Sequence, residues 1–249
     1  MAHAAEAAGV QFVISTGDNF YPGGVSSVDD SQWVTSFEDI YDASALMIPW
    51  YVTLGNHDHR GNILAQMEYA NLSSRWRLPA RNYKHSKRLA DGSEADFFHI
   101  DTTPLTSFGS VWSNSQLSWL ERELATSAAS WKIVIGHHPV YAGSQRGGEP
   151  ELLTLLEPLM KRFGVQAYIC GHEHHMEHIV VGGVSYLVCG AGANARSAEG
   201  TKGTQFVSGD RLGFMTTRLS KSAMMVEFID DQGSSLYRTR ILRTPAQAR

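Results

Sequence analysis

Four side chains that can bind metal ions each follow a glycine at the end of an apolar run. They are Asp18, Asn56, His137 and His172. Imidazole nitrogens combined with carboxylate and amide oxygens suit zinc, iron and manganese, whereas a zinc finger or an iron–sulfur cluster needs grouped thiolates. The sequence has only two cysteines, so these residues indicate a metal site without sulfur ligands.

Two metal ions about 3.5–4 Å apart can position the attacking and leaving oxygens of an in-line displacement at phosphorus. Such a pair needs a bridging carboxylate, and Asp18 is the best candidate. The residues therefore predict a dinuclear site that cleaves phosphate esters.

We call each glycine and the ligand-type residue that follows it a corner. Each corner also has an ordinary explanation when it is taken alone. Asp18 lies in a Gly-Asp-Asn segment of the kind that forms turns, and Asn56 begins a second polar turn. His137 could be a hydrogen-bonded core histidine, and His172 could lie in a solvated loop. All four nevertheless follow predicted strands, and ligands of open α/β sheets bind beyond the carboxyl ends of the strands. This shared position favours one functional site over four separate turns.

The elements that must position these corners are strands alternating with helices. Apolar runs predict strands at 10–15, 50–54, 96–100, 131–135, 165–170 and 184–189. Helical periodicity predicts helices at 31–43, 115–128 and 151–163, and three final runs predict an antiparallel meander at 214–219, 224–229 and 236–241. The pattern predicts an α/β fold in a single domain over residues 1–249.

Composition excludes several classes of function. The net charge of -4 predicts no basic stripe for nucleic acid, and no apolar run has the length of a membrane span. The N-terminus lacks a signal-peptide pattern, so the chain as written is expected to stay where it is made. Cys170 and Cys189 each end a predicted core strand, which favours free buried thiols over a disulfide. We expect a monomer that binds neither nucleic acid nor membrane.

In this order, the four corners resemble the motifs of the small, tartrate-resistant type of purple acid phosphatase, a branch of the calcineurin-like metallophosphoesterases. Tyr21, three residues after Asp18, is the marker of that branch. The similarity continues through 37–41, 50–52, 60–62, 74–76 and the strands around 190–192. It implies an αββα sandwich of two mixed sheets flanked by helices. It also implies an acid phosphatase whose substrate is a small phosphate monoester or a phosphoprotein.

The resemblance also implies the ligands of an Fe(III) ion paired with Fe(II), Zn(II) or Mn(II). By matched position, Tyr21 and His174 bind the ferric ion, Asn56, His137 and His172 bind the divalent ion, and Asp18 bridges the two. In this family a metal-bound hydroxide attacks the phosphate. His57 matches a histidine that contacts the substrate phosphate.

Three further histidines of the corners have weaker claims to a role in the site. His138 either contacts the metal ligands without binding a metal itself or lies in a solvated loop. For His59 and His175 we favour solvated loop positions.

The chain departs from the family pattern before its first corner. No aspartate precedes Asp18, whereas the family supplies a ferric ligand from an Asp-x-Gly motif on its first strand. We therefore expect that this N-terminal strand is missing here and that the ferric half has one carboxylate fewer. Members of the family are usually secreted, lysosomal or periplasmic, and an upstream segment would carry the export signal.

A second departure lies at Arg146, where the family commonly has a histidine that protonates the leaving group. Arginine stays protonated and pairs with phosphate oxygens, but it is not a general acid. The sequence therefore predicts a preference for aryl phosphates, which have good leaving groups.

Two alternatives remain open at the level of the sequence. A related metallophosphoesterase could cleave phosphodiesters or nucleotides, with Tyr21 incidental. A folded but inactive relative could bind one metal, because the first aspartate is absent. The visible spectrum of the iron-loaded protein tests the first alternative, and metal stoichiometry tests the second.

Overall fold

The computed structural model describes residues 1–106 and 111–243, except the side chains of Val111 and Trp112. The single domain predicted over 1–249 thus extends beyond the described residues. The helices are α1 (Ala2–Ala8), α2 (Ile63–Tyr69), α3 (Val111–Thr126) and α4 (Pro150–Arg162). The strands are β1 (Val13–Ser15), β2 (Trp50–Val52), β3 (Trp76–Arg77), β4 (Tyr83–Arg88), β5 (Glu94–His99), β6 (Trp131–Ile135), β7 (Ala167–Cys170), β8 (Met176–Val181), β9 (Val184–Cys189), β10 (Thr204–Ser208), β11 (Gly213–Leu219), β12 (Ala223–Asp230) and β13 (Ser235–Leu242).

A seven-stranded mixed sheet forms the centre of the molecule, in the order β10-β8-β9-β7-β6-β5-β4. Strands β5, β6, β7 and β9 are parallel, and the pairs at both edges are antiparallel. Helices α3 and α4 cover one face. On α4, Leu152, Leu156 and Met160 recur every four residues and are fully buried against the sheet.

A second β layer covers the other face of the central sheet. It consists of the parallel sheet β1-β2-β3 and the antiparallel sheet β11-β12-β13. Met224 and Phe228 of β12 pack in one cluster with Ile133 and Leu187 of the central sheet, and Ile14 of β1 joins them. On the outer side of the parallel sheet, α1, α2 and a π-helical turn at Trp33–Glu38 complete the layers.

The layers form the αββα sandwich implied by the resemblance, but the described residues form three sheets rather than two mixed ones. Only the central sheet is mixed, because β1 pairs with β2 alone and β11 with β12 alone. The helix expected at 31–43 is wrong, since only the short turn at Trp33–Glu38 forms there. Both cysteines are free, as expected, although Cys170 is buried and Cys189 is only half-buried. No helix of the described part of the chain could span a membrane.

Candidate metal centre

The four glycine corners meet between the two β layers. Asp18 and Asn56 follow β1 and β2 of the parallel sheet, whereas His137 and His172 follow β6 and β7 of the central sheet. The expectation of one shared sheet edge is therefore corrected, because the corners come from two sheets whose strand ends face each other. Asn56 Oδ1 lies 3.1 Å from a ring nitrogen of both His137 and His172.

The protonation of His137 follows from its hydrogen bond to a backbone carbonyl. Its Nδ1 lies 2.8 Å from the carbonyl oxygen of Thr16, which can only accept, so Nδ1 carries the proton. The other nitrogen, Nε2, then has a lone pair in the neutral ring. It faces Asn56 Oδ1 at 3.1 Å, His172 Nδ1 at 3.2 Å and Asp18 Oδ1 at 3.3 Å.

This arrangement of lone pairs fits a metal ion. A proton on Nε2 of His137 would serve only one of the three neighbouring atoms, whereas a cation between them attracts all of them. Ligands about 2.0–2.2 Å from one tetrahedral ion lie roughly 3.3 Å apart, which matches the distances at His137. The residues predicted to hold the divalent ion are thus brought together, and their role as ligands stays a prediction.

Asp18, Tyr21 and His174 form the other half of the site. The Tyr21 hydroxyl donates to Asp18 Oδ2 at 2.9 Å and lies 3.5 Å from His174 Nε2. Burial and the Asp18 carboxylate raise the pKa of Tyr21 well above its usual value. Tyr21 would therefore ionise only when a strongly positive ion lies against its oxygen.

Asp18 is ionised in this setting. Burial alone would raise the pKa of its carboxyl group, but His137, the backbone N–H of His57 and the Tyr21 hydroxyl outweigh that effect and lower the pKa well below its usual value. The His57 N–H donates to Asp18 Oδ1 at 2.8 Å. The carboxylate has Oδ1 3.3 Å from His137 Nε2 and Oδ2 2.9 Å from the Tyr21 hydroxyl, so one oxygen lies toward each half of the site.

Backbone strain supports a functional role for two of the corners. Asp18 and His172 are left-handed, with φ of 55° and 62°, which non-glycine residues adopt at a cost of about 1–3 kcal/mol. Gly17 has φ of 94°, and a Cβ there would lie 2.6 Å from His137 Nδ1. A Cβ on Gly55 would lie 2.3 Å from Asp18 Oδ1. The glycines thus let the two layers approach closely enough for their side chains to meet.

Asp58 is a positioning residue that the sequence interpretation missed. It is fully buried, and its carboxylate accepts from the backbone N–H of Gly55 at 2.8 Å and of Asn19 at 3.1 Å. Gln66 on α2 donates to it at 2.9 Å. Asp58 thereby ties the first corner to the second. Its position two residues after Asn56 could have marked it as part of the site, but its hydrogen-bond partners are known only from the fold.

The rim of the site carries His57, Arg146 and Arg196. His57 Nδ1 donates to the carbonyl of Pro22 at 2.6 Å, and its Nε2 lies 4.0 Å from Asp18 Oδ2. Arg146 Nε lies 3.3 Å from Glu173 Oε1, and its side chain is 56% exposed. Arg196, also exposed, acts electrostatically on Tyr21, and sequence reasoning missed it because its loop has no motif.

The three histidines with weaker claims are all paired inside the protein. His59 is half-buried and not in the solvated position that was expected, and its Nε2 lies 2.9 Å from the buried carboxylate of Asp101. His175 is not a solvated loop residue, as was expected, because it is buried and lies 2.8 Å from Glu177 Oε2. His138 is 4% exposed, and burial together with His137 and His172 lowers its pKa to about 2, so its ring is neutral.

Comparison with known proteins gives relatives along nearly the whole chain. The family model described as calcineurin-like phosphoesterase matches residues 1–176. Tartrate-resistant acid phosphatase type 5 of Homo sapiens is 34% identical over 260 residues, covering 94% of this chain and 80% of the relative. Purple acid phosphatase 4 of Arabidopsis thaliana is 34% identical over 255 residues, covering 92% and 73%.

Solved structures agree with these sequence relatives. GAP50, described as the anchor in the inner membrane complex of Plasmodium, matches with a TM-score of 0.90 at 26% identity and covers 98% of this chain and 82% of its own. Purple acid phosphatase PPD1 from yellow lupin (Lupinus luteus) seeds matches with a TM-score of 0.73 at 18% identity, over 98% and 48%, and supports the fold alone. The chain is a member of the calcineurin-like phosphoesterases, and within them it belongs to the purple acid phosphatases.

Proposed function

We propose that this chain is an acid phosphatase that hydrolyses phosphate monoesters at the centre formed by the four corners. The observation that carries the proposal is the His137 Nε2 lone pair, which faces three further ligand-type atoms at 3.1–3.3 Å. The names of the relatives support the reaction, since they are tartrate-resistant or purple acid phosphatases. A small phosphate monoester or a phosphoprotein is the proposed substrate.

The proposed centre holds an Fe(III) ion and a divalent Fe, Zn or Mn ion. Asn56, His137 and His172 would hold the divalent ion, Tyr21 and His174 the ferric ion, and Asp18 both. The metal pair, when bound, supplies positive charge that activates water and stabilises the charge that develops at phosphorus. The chemistry of the donors supports this division, because a phenolate is a hard anion that suits Fe(III).

The residues of the rim orient the substrate. Because His57 Nδ1 donates to the Pro22 carbonyl, its Nε2 is left for the phosphate, next to Asp18. Arg146 offers a charged donor to a phosphate oxygen once its contact to Glu173 opens. Arg146 cannot protonate the leaving group. Aryl esters, whose leaving groups depart readily without a proton, are therefore the preferred substrates.

The visible spectrum and the metal content test this proposal together. The iron-loaded protein should show a broad tyrosinate-to-iron charge-transfer band and hydrolyse p-nitrophenyl phosphate faster than bis(p-nitrophenyl) phosphate. Tyr21→Phe should abolish the band, and Tyr51→Phe, which changes a tyrosine outside the site, should keep it. A protein with two bound metals and no band, or with diester hydrolysis faster than monoester hydrolysis, would contradict the assignment.

Metal stoichiometry also tests the remaining candidate, a relative that binds one metal and does not turn over. In that candidate, Asp18, Tyr21 and His174 lie together without holding an ion. One ion per chain without phosphatase activity would favour it, whereas two tightly bound ions exclude it.

We further propose that the protein acts as a monomer in a secreted, lysosomal or periplasmic location, on the strength of the family resemblance.

A further inference from the structure

His138 is not among the proposed ligands, yet its ring lies against them. Its ring centre is 4.4 Å from that of His172 and 4.8 Å from that of His137. One ring nitrogen from each of the three histidines lies within 4.8 Å of the others. Proximity alone would suggest a third imidazole ligand, so the protonation of the ring decides its role.

Thr102 determines which nitrogen of His138 carries the proton. The backbone N–H groups of His137 and His138 donate to Thr102 Oγ1 at 3.2 Å and 3.0 Å. A hydroxyl group has two lone pairs and one hydrogen, and both lone pairs are thereby used. The hydrogen is left to donate to His138 Nδ1, which lies 2.9 Å away. Because Nδ1 accepts this hydrogen bond, it carries no proton, and the single ring proton of His138 is on Nε2.

His138 thus differs from the two ligand histidines beside it. His137 keeps its proton on Nδ1, against Thr16, and presents a bare Nε2 to the site. His138 has the opposite tautomer, and a protonated nitrogen cannot coordinate a metal ion. The three rings therefore do not form a three-histidine metal site. His137 presents a lone pair, and His138 presents an N–H group.

The N–H group of His138 is held rigidly and has no protein acceptor. Thr102 fixes the ring, and the Tyr168 hydroxyl donates to the His138 carbonyl at 2.7 Å, which fixes the backbone. None of the described residues makes a hydrogen bond to His138 Nε2. A fixed donor next to a cation site fits an oxygen of a bound anion, since such a donor needs no reorganisation when the anion arrives.

We propose that His138 Nε2–H donates a hydrogen bond to an oxygen of the phosphate group, in the substrate and in the inorganic phosphate product. The proposal rests on the proposed function, because it needs phosphate at the divalent half of the site. It makes His138 a substrate-binding residue and assigns Thr102 the task of fixing its tautomer.

The first test compares variants of the metal-loaded protein with inorganic phosphate as the probe. His138→Phe should weaken phosphate binding, measured by calorimetry and as competitive inhibition, by about tenfold or more, as expected for a lost hydrogen bond to a charged oxygen. KM for p-nitrophenyl phosphate should rise with it, and metal content should not change. His138→Gln, which keeps an N–H donor, should recover part of the affinity. His3→Gln, at an exposed histidine, should match the wild type.

Other outcomes of this comparison overturn the proposal. Loss of metal from His138→Phe and His138→Gln would make His138 a ligand. If the His138 variants bind phosphate as tightly as the wild type but unfold at a lower temperature, His138 has a structural role only. Wild-type protein that binds phosphate without hydrolysing monoesters would contradict the proposed function alone, and active wild type with insensitive His138 variants would contradict this inference alone. Wild type that does not bind phosphate would contradict both.

The second test reads the tautomer directly and needs neither activity nor a variant. In zinc-loaded protein, which is diamagnetic, ¹⁵N-labelled histidines give shifts that distinguish a protonated Nε2 from a protonated Nδ1. His138 should show the Nε2–H tautomer, and His137 should show Nδ1–H. An Nδ1–H tautomer at His138 would overturn the inference whatever the variants do.

Discussion

His137 turns a protonated nitrogen away from the atoms of the proposed metal site. Its Nδ1 faces the Thr16 carbonyl at 2.8 Å, and His172 points its Nδ1 toward Asn56 Oδ1 at 3.1 Å. The sequence could nominate both histidines, because a glycine at a strand end is a local pattern. It could not assign the tautomers of His137 and His138, since Thr16 and Thr102, which decide them, lie far away in the sequence. Residue types are thus predictable here, and proton positions are not.

Arg146 gives a prediction at the scale of one residue. Because arginine cannot protonate a leaving group, the wild type should depend strongly on the leaving group's own acidity. Arg146→His should raise the rate on an alkyl phosphate relative to p-nitrophenyl phosphate by about 100-fold, the lower end of the range for general acid catalysis. The ratio of kcat values on the two esters, measured across acid pH, checks this.

Arg146→Gln is the matched control, since it removes the charge without adding an acid. It should weaken binding of both esters and leave their kcat ratio as in the wild type. A wild-type enzyme that hydrolyses both esters equally fast would show that another group protonates the leaving group.

At the scale of elements, apolar strands were predictable and strands with buried charge were not. Strands β6 and β9 have the predicted bounds, because both of their faces are covered and nearly every residue is apolar. Strand β8 was missed because Glu177 and His178 interrupt its apolar pattern although both are buried. Glu177 also pairs with Gly143 and Thr204, and His178 with Tyr237. These partners lie far away in the sequence, so a local pattern does not reveal them.

Glu177 connects β8 to two other segments and gives a prediction at this scale. Its Oε2 accepts from the Gly143 N–H at 2.7 Å and lies 2.8 Å from His175 Nε2, and its Oε1 accepts from Thr204 at 2.6 Å. Glu177→Ala would leave these buried groups without their acceptor. We expect the free energy of unfolding to fall by about 3 kcal/mol, measured by urea denaturation.

The Gly143 segment also leads to Arg146, so Glu177→Ala should raise KM more than it lowers kcat. Glu199→Ala is the control, because Glu199 is exposed and contacts Gly143 only through its backbone N–H. A loss of stability equal in the two variants would show that the buried carboxylate contributes nothing specific.

At the scale of the whole molecule, two histidines lie where the parallel sheet meets the central sheet. His85 of β4 stacks on Tyr51 of β2 with ring centres 3.6 Å apart, and on Phe97 of β5 at 4.7 Å. Neither ring nitrogen of His85 has a hydrogen-bond partner among the described residues. Burial, with Lys87 nearby, lowers the pKa of His85 to about 3, and burial lowers the pKa of His99 well below its usual value.

This contact predicts that acid destabilises the molecule. The folded protein disfavours the protonated form of His85, whereas the unfolded chain takes up the proton near pH 6.5. The contribution of neutral His85 is therefore complete above pH 6.5 and is lost as the pH falls toward 3. His85→Phe keeps an aromatic ring between Tyr51 and Phe97 and removes the titration. At pH 4.5 it should be about 1–3 kcal/mol more stable relative to the wild type than at pH 7.

Urea denaturation of both proteins at the two pH values measures this difference, with His3→Gln as a control at an exposed histidine. Equal pH dependence in the wild type and His85→Phe would show that the contact between the layers does not sense acid. If the difference appears, the acid conditions that suit the phosphatase reaction are also those that loosen its fold.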